Sequence, residues 1–152
     1  MKPVITLLAF LICIKLFACN KSDEITTNSN NTLDTSSMKI KIIIGTNSFT
    51  ALLFNNATAT AFKEKLPLTL NMTDLNGNEK YFDLPDNLPA NASNPGTIQA
   101  GDLMLYGSNT LVLFYKSFST SYNYTRVARI DNLSGLAAAL GSGNVTVRFE
   151  LE

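Results

Sequence analysis

From residue 39 onward the chain runs in short bursts of period-two alternation, each closed by a turn rich in Gly, Asn or Ser, and this pattern constrains the fold more than any other feature. Successive side chains on a strand point to opposite faces, so an apolar residue at every second position builds a sheet with one greasy face and one wettable one. Leu68, Leu70 and Met72 alternate with Thr69, Asn71 and Thr73, and Asn76-Gly77 then turns the chain into a strand over 80–84. Segments 39–45 and 49–54 flank Thr46-Asn47-Ser48, and segments 101–106 and 110–115 flank Gly107-Ser108-Asn109; both read as hairpins. Segments 126–131 and 145–151 supply the last two strands.

Two segments follow a helical period instead. Thr58, Phe62 and Leu66 share one face, with Asn56 or Thr58 as the cap and Pro67 as the stop. Leu133, Leu136, Ala137 and Leu140 form an i, i+3, i+4, i+7 stripe, with Asp131 or Asn132 as the cap and Gly141 placed to end the helix in the left-handed region. About eight strands with two short amphipathic helices fit a small closed barrel whose open ends the helices plug. A two-layer sandwich has a similar strand count and competes with it.

Upstream, Lys2, the apolar run over 4–14 and Leu16-Phe17-Ala18-Cys19 give the charged, greasy and small-residue parts of an export signal in order. The last four residues resemble a bacterial lipobox, in which a small residue before the Cys admits the peptidase and the thiol receives diacylglycerol. Ile12 before Cys13 is too bulky for that role, and Lys15 cuts the apolar run short of the roughly 20 residues that span a bilayer. The expectation is a signal peptide over 1–18, a lipidated Cys19 with a flexible tether over 19–37, and one folded domain over 38–152. The tether is rich in Asn, Thr, Ser and Asp and has too little apolar surface to fold. As a coil it reaches about 25 Å. A membrane partner reached through Cys19 follows, with the protein held at the outer membrane or elsewhere in the cell envelope, facing the periplasm or the cell surface.

Composition then removes whole classes of chemistry. Both cysteines, Cys13 and Cys19, lie at or before the expected new N-terminus, so the domain holds no thiol for a disulfide, a nucleophile or a metal site. Histidine is absent, which removes the usual zinc ligand and the Ser-His type of triad. Nine basic and nine acidic residues in 38–152, without runs of either sign, argue against nucleic acid as a partner. Asp83 and Asp86 lack the spacing of a calcium loop, and Asp74-Leu75-Asn76-Gly77 reads as a turn. No cofactor or metal is expected.

Gly101-Asp102-Leu103, the run Leu111-Val112-Leu113-Phe114-Tyr115, then Phe118, Thr120, Tyr122, Tyr124-Thr125-Arg126 and Arg129-Ile130, and finally Gly141-Ser142-Gly143 with Val145-Thr146-Val147 resemble bacterial cyclophilin-like domain proteins. The resemblance covers most of 38–152 and implies the cyclophilin-like fold: mainly β, a closed barrel of about eight strands with a short helix capping each end. True cyclophilins are prolyl isomerases whose catalytic Arg begins a Phe-x-Arg-x-x-x-x-Phe-Met-x-Gln-x-Gly-Asp pattern. Gly101-Asp102 keeps the end of that pattern, but residues 91–100 carry neither the Arg nor the Phe-Met pair, and no Arg occurs before Arg126.

Arg126 and Arg129 are three apart and so are expected on opposite faces of their strand, with at most one pointing inward. In the functional reading one guanidinium joins Tyr115, Phe118, Tyr122 and Tyr124 in a groove that grips a carboxylate, a peptide or a sugar. In the plainer reading the aromatics cover the barrel mouth and the Arg pairs with Asp102 or Asp131. The sequence thus points to a lipid-anchored, monomeric module that binds a peptide or small molecule through Tyr115, Phe118, Tyr122, Tyr124, Arg126 and Arg129. A divergent prolyl isomerase or periplasmic folding helper, with one of the two arginines replacing the lost guanidinium, is the alternative.

Overall fold

The computed structural model describes residues 38–152; the signal, lipobox and tether expectations lie outside them. In chain order the elements are β1 (Lys39–Ile44), β2 (Asn47–Leu53), α1 (Ala57–Lys63), β3 (Leu68–Leu75), β4 (Glu79–Asp83), β5 (Thr97–Ile98), β6 (Asp102–Tyr106), β7 (Thr110–Phe114), β8 (Phe118–Ser119), β9 (Tyr124–Ile130), α2 (Leu136–Leu140) and β10 (Val145–Leu151). Eight of the strands close into one antiparallel barrel in the order β1-β10-β3-β4-β7-β6-β9-β2. First and last strands meet, Ile42 facing Phe149, and β2 returns to β9 through Ala51 and Ile130. Those two seams exclude the sandwich.

The barrel closes because the alternation puts a filled apolar surface inside it. Ile40, Ile42 and Ile44 of β1, Ala51 of β2, Leu70 and Met72 of β3, Leu103 and Leu105 of β6, Leu111 and Leu113 of β7 and Val147 and Phe149 of β10 are buried together. Each large side chain so removed from water contributes about 1.5–3 kcal/mol. α1 follows the end of β2 and leads into β3, whereas α2 follows the end of β9 and leads into β10, so the antiparallel register sets them at opposite mouths. Phe62 of α1 meets Phe149 edge-on at 5.6 Å, and Leu136 and Leu140 of α2 join the same interior cluster.

The turns follow backbone chemistry. Asn76 and Gly77 both adopt positive φ, 54° and 62°, the mirror-image turn whose twist matches a hairpin, and Asn and Gly carry the least strain there. Gly101 opens β6 so close to its neighbours that a Cβ would collide with Leu133 and crowd Ile130. Asn56 caps α1 by accepting from the Ala59 N–H at 2.8 Å, as its spacing predicts.

Four local expectations are corrected. The β1–β2 hairpin turns on Gly45-Thr46, with Ile44 opposite Asn47, so Asn47 and Ser48 are already strand. α1 ends at Lys63, with Leu66 outside it. α2 begins only at Leu136, after Gly135 at φ 81°, with no side-chain cap; the Asn132 carboxamide instead accepts from Ser134 N–H at 3.0 Å, and Leu133 is exposed. Gly141 has positive φ but an extended ψ of −163°, so it leaves the helix without entering the left-handed helical region.

The two-residue strands β5 and β8 have too few residues to carry a period. They pair with each other outside the barrel, Thr97 opposite Ser119 and Ile98 opposite Phe118. Ile98 of β5 packs with Met104, Val112, Phe114 and Tyr124 of the barrel in a second, smaller apolar cluster on its outer surface, with Phe118 of β8 against it.

Candidate functional site

A strand buried on both faces is unusual in an antiparallel barrel, and β6 and β7 are nearly that: burial runs without a break from Asp102 to Leu105 and from Leu111 to Phe114. Their second face is covered by the β5–β8 flap, and the cover is incomplete. Strand register shows what lies beneath. On the outer face Asp83, Thr110, Tyr106 and Tyr124 form one cross-strand row, Tyr81, Val112 and Met104 the next, and Glu79 and Phe114 a third. Beside these rows opens a cleft of about 570 Å³, the size of an ordinary ligand pocket. Tyr81 and Val112 lie at its floor rows, and Phe118, Tyr122 and the hydroxyl residues 119–121 flank it from the segment entering and leaving β8.

The cleft's aromatics brace one another. Tyr106 meets Tyr122 at 6.1 Å and Tyr124 at 5.5 Å, while Phe114 meets Tyr124 at 5.5 Å and Phe118 at 5.7 Å, mostly edge to face, an arrangement worth about 0.5–1.5 kcal/mol per pair beyond the area buried. Tyr122 is 61% exposed and Tyr106 45% exposed. Burial, helped by the negative charge of Glu79, pushes the Tyr124 phenol up to about 12.

The polar side of the cleft is acidic. Glu79 and Asp83 contribute carboxylates, and no Lys or Arg lines it. Asp83 accepts a 2.7 Å hydrogen bond from Thr110 Oγ1. Glu79 is half-buried, joins no ion pair and makes no side-chain hydrogen bond among the described residues. Desolvation holds its carboxyl above the ordinary carboxylate range. Beside it Asn78 Oδ1 is buried with no donor.

The six residues singled out from sequence separate into two groups. Phe118, Tyr122 and Tyr124 line the cleft. Tyr115 instead belongs to the barrel's interior cluster, where its hydroxyl donates to Asp74 Oδ1 at 2.7 Å; burial and that bond push its phenol up to about 12. Arg126 and Arg129 lie outside the cleft and converge on Asp102: Arg129 Nε stands 3.4 Å from Asp102 Oδ1 and an Arg126 terminal nitrogen 4.0 Å from it. The contact is one of charge, because neither guanidinium is aligned to hydrogen-bond that oxygen. The other carboxylate oxygen accepts from Gln99 N–H at 2.9 Å, and Arg126 also lies 5.7 Å over the Phe54 ring.

The expectation that the two arginines face opposite ways is therefore corrected, and its cause is a β-bulge. Pairing of β6 with β9 slips between Leu103 and Met104, so Ala128 faces Leu103 and Arg126 faces Met104, leaving Val127 without a partner on β6. Val127 and Ala128 both enter the core, which returns Arg126 and Arg129 to the same outer side. A bulge inserts one residue without marking the sequence.

Lys80 gives no signal in the sequence pattern, as a lone lysine in a strand ordinarily faces solvent. It is fully buried at an inward position of β4, and its three ammonium protons go to Asp74 Oδ1 at 2.5 Å, Gly141 O at 2.9 Å and Gly143 O at 2.7 Å. Asp74 faces Lys80 directly across the β3–β4 hairpin, because Asn78 joins Asn76-Gly77 in a three-residue loop and Leu75 pairs with Glu79. The resulting Lys80–Asp74–Tyr115 network ties the loop after α2 to the barrel wall.

A closed eight-stranded antiparallel barrel with a short helix at each end is the architecture of the cyclophilin-like class. The chain belongs to the Cyclophilin-like family, whose sequence model matches residues 42–150. The solution structure of a hypothetical protein from Archaeoglobus fulgidus is similar in fold, with a TM-score of 0.51 at 15% identity over 78% of this chain and 97% of that one. No curated protein matches.

Proposed function

We propose that this protein is a lipid-anchored, extracytoplasmic binding module that holds a peptide or small ligand in the outer cleft without chemically altering it. The observation that carries the reading is the cleft itself: about 570 Å³ flanked by aromatic rings, two of them substantially exposed, beside a carboxylate with no partner among the described residues. Exposed Tyr rings held by neighbouring rings lose little conformational freedom on binding and are costly to leave in water. The prolyl-isomerase alternative needs a guanidinium in the groove, and both candidate arginines are engaged at Asp102 instead.

The anchoring half of the proposal rests on Leu16-Phe17-Ala18-Cys19 and the polar tether after it. It places a monomeric module in the cell envelope, at the outer membrane facing the periplasm or the cell surface. Cys19→Ala leaves an unprocessed or soluble protein; retention in the membrane fraction at normal size would refute the lipobox. For the binding half, a thermal-shift screen supplies the ligand. Tyr106→Ala and Tyr122→Ala weaken it, and Arg126→Ala leaves it bound. Affinity lost only on Arg126→Ala would move the site to the Asp102 cluster, and turnover of an Xaa-Pro peptide abolished by the same change would restore the isomerase.

A further inference from the structure

The charge of the cleft decides which ligand it can take. A groove that grips a carboxylate needs an Arg or Lys, and the lining holds none; it holds Glu79 and Asp83. Asp83 is already hydrogen-bonded to Thr110. Glu79 is half-buried among Tyr81, Tyr124 and Phe114, and among the described residues no cation or donor reaches it. A half-buried carboxylate facing aromatic rings, with no internal counter-ion, is an arrangement that a ligand cation completes: the carboxylate supplies charge and the ring faces supply cation–π attraction.

A second observation bears on what carries that cation. β8 belongs to a two-stranded sheet and is paired on one edge only, with β5; its residues line the cleft and those of β5 do not. Of the two strands it is thus β8, the one with a free edge and cleft-lining residues, that borders the cleft. A free strand edge offers backbone donors and acceptors that an extended peptide can pair with.

Resting on the binding-module reading, we infer that the cleft takes a Lys or Arg side chain of an extended peptide, with Glu79 as its counter-ion, Tyr106, Tyr122 and Tyr124 around its stem, and the open edge of β8 holding the peptide backbone. The long apolar stem of such a side chain suits the rings, while its charged head reaches the carboxylate.

Calorimetric titration of the purified full-length protein with acetyl-Ala-Lys-Ala-amide tests this, alongside the same peptide bearing acetyl-lysine and free n-butylammonium. The expected result is that the Lys peptide binds at least about tenfold tighter than the acetyl-lysine peptide, the scale of one partly buried charge pair. Butylammonium, lacking the backbone, binds more weakly than either peptide. Glu79→Gln, close to isosteric, removes the Lys preference and leaves the acetyl-lysine peptide unchanged. Equal binding of the two peptides, weakened in both by Tyr122→Ala, would overturn the cation while leaving the cleft as a binding site. Butylammonium binding as tightly as the Lys peptide would overturn the role of the β8 edge. Failure of all three probes to bind at millimolar concentration would overturn the inference without touching ligands found by the thermal-shift screen.

Discussion

Replacing Lys80 by Met removes a buried ammonium of nearly the same length and leaves the three acceptors that it serves. The Gly141 and Gly143 carbonyls lose bonds of 2.9 and 2.7 Å from a charged donor. At about 1.5–3 kcal/mol each, these two bonds together amount to about 3–6 kcal/mol. Burying a thioether in place of an ammonium recovers part of the loss, so the net destabilisation is about 2–4 kcal/mol. With a urea dependence of about 2 kcal/mol/M, the unfolding midpoint falls by roughly 1–2 M. Acid adds a second signature. The Lys80 bond, and after it the Tyr115 bond, hold the Asp74 carboxyl below its ordinary value of 3.8. A carboxyl depressed in the folded state adds stability that is complete above the unfolded pKa and is lost as pH falls through the folded one. The gap between the parent protein and Lys80→Met therefore narrows below about pH 4 and persists in part, because the carbonyl bonds do not titrate. A midpoint within 0.3 M (about 0.6 kcal/mol at that slope) of the parent's, or a gap independent of pH, would show that the Lys80 bonds do not carry this stability.

Phe62→Ala removes the α1 ring that meets Phe149 inside the barrel and costs about 3–5 kcal/mol, read by the same urea titration. Glu79→Gln raises stability at pH 7: desolvation lifts the folded carboxyl above 4.5, so from there up to the folded pKa the native state holds a proton that the unfolded chain has lost, and stability falls as pH rises. The gain disappears below about pH 4, where both states are protonated, and thermal melts across that range check it. Tyr115 and Tyr124 ionise near pH 12 against 10 for an unperturbed phenol, so stability drops as pH rises between those values; absorbance titration of Tyr115→Phe and Tyr124→Phe, each lacking one late step, checks the assignment.

Much of the barrel was legible because closure rests on local rules. Ile40, Ile42 and Ile44 or Leu68, Leu70 and Met72 declare their inner face by period alone, and Asn76-Gly77 marks the turn between β3 and β4, although Asn78 joins the loop and sets the register one residue away from that of a two-residue turn. The site was legible only in part, since it depends on what the period does not encode. β5 and β8 are two residues each, too short to show alternation, yet they form the flap beside the cleft. The bulge at Val127 reverses the facing of Arg129 and takes both arginines to Asp102, which no spacing rule anticipates. Tyr122 and Tyr124 stood out as aromatics near one another in sequence, whereas Tyr81 and Tyr106 join them only through the β4–β7–β6 register. Glu79 gave no signal, because a carboxylate at a strand start is ordinary until its surroundings are known.

Amide chemical-shift mapping of the protein, titrated with a ligand from the thermal-shift screen, decides whether the outer wall of the barrel or the Asp102 cluster receives it. Saturable shifts are expected in β4, in β7 and through residues 118–124, with Asp102 and Arg129 unmoved. Shifts centred on Asp102, Arg126 and Arg129, with Tyr81 and Phe118 silent, would contradict binding at the outer wall.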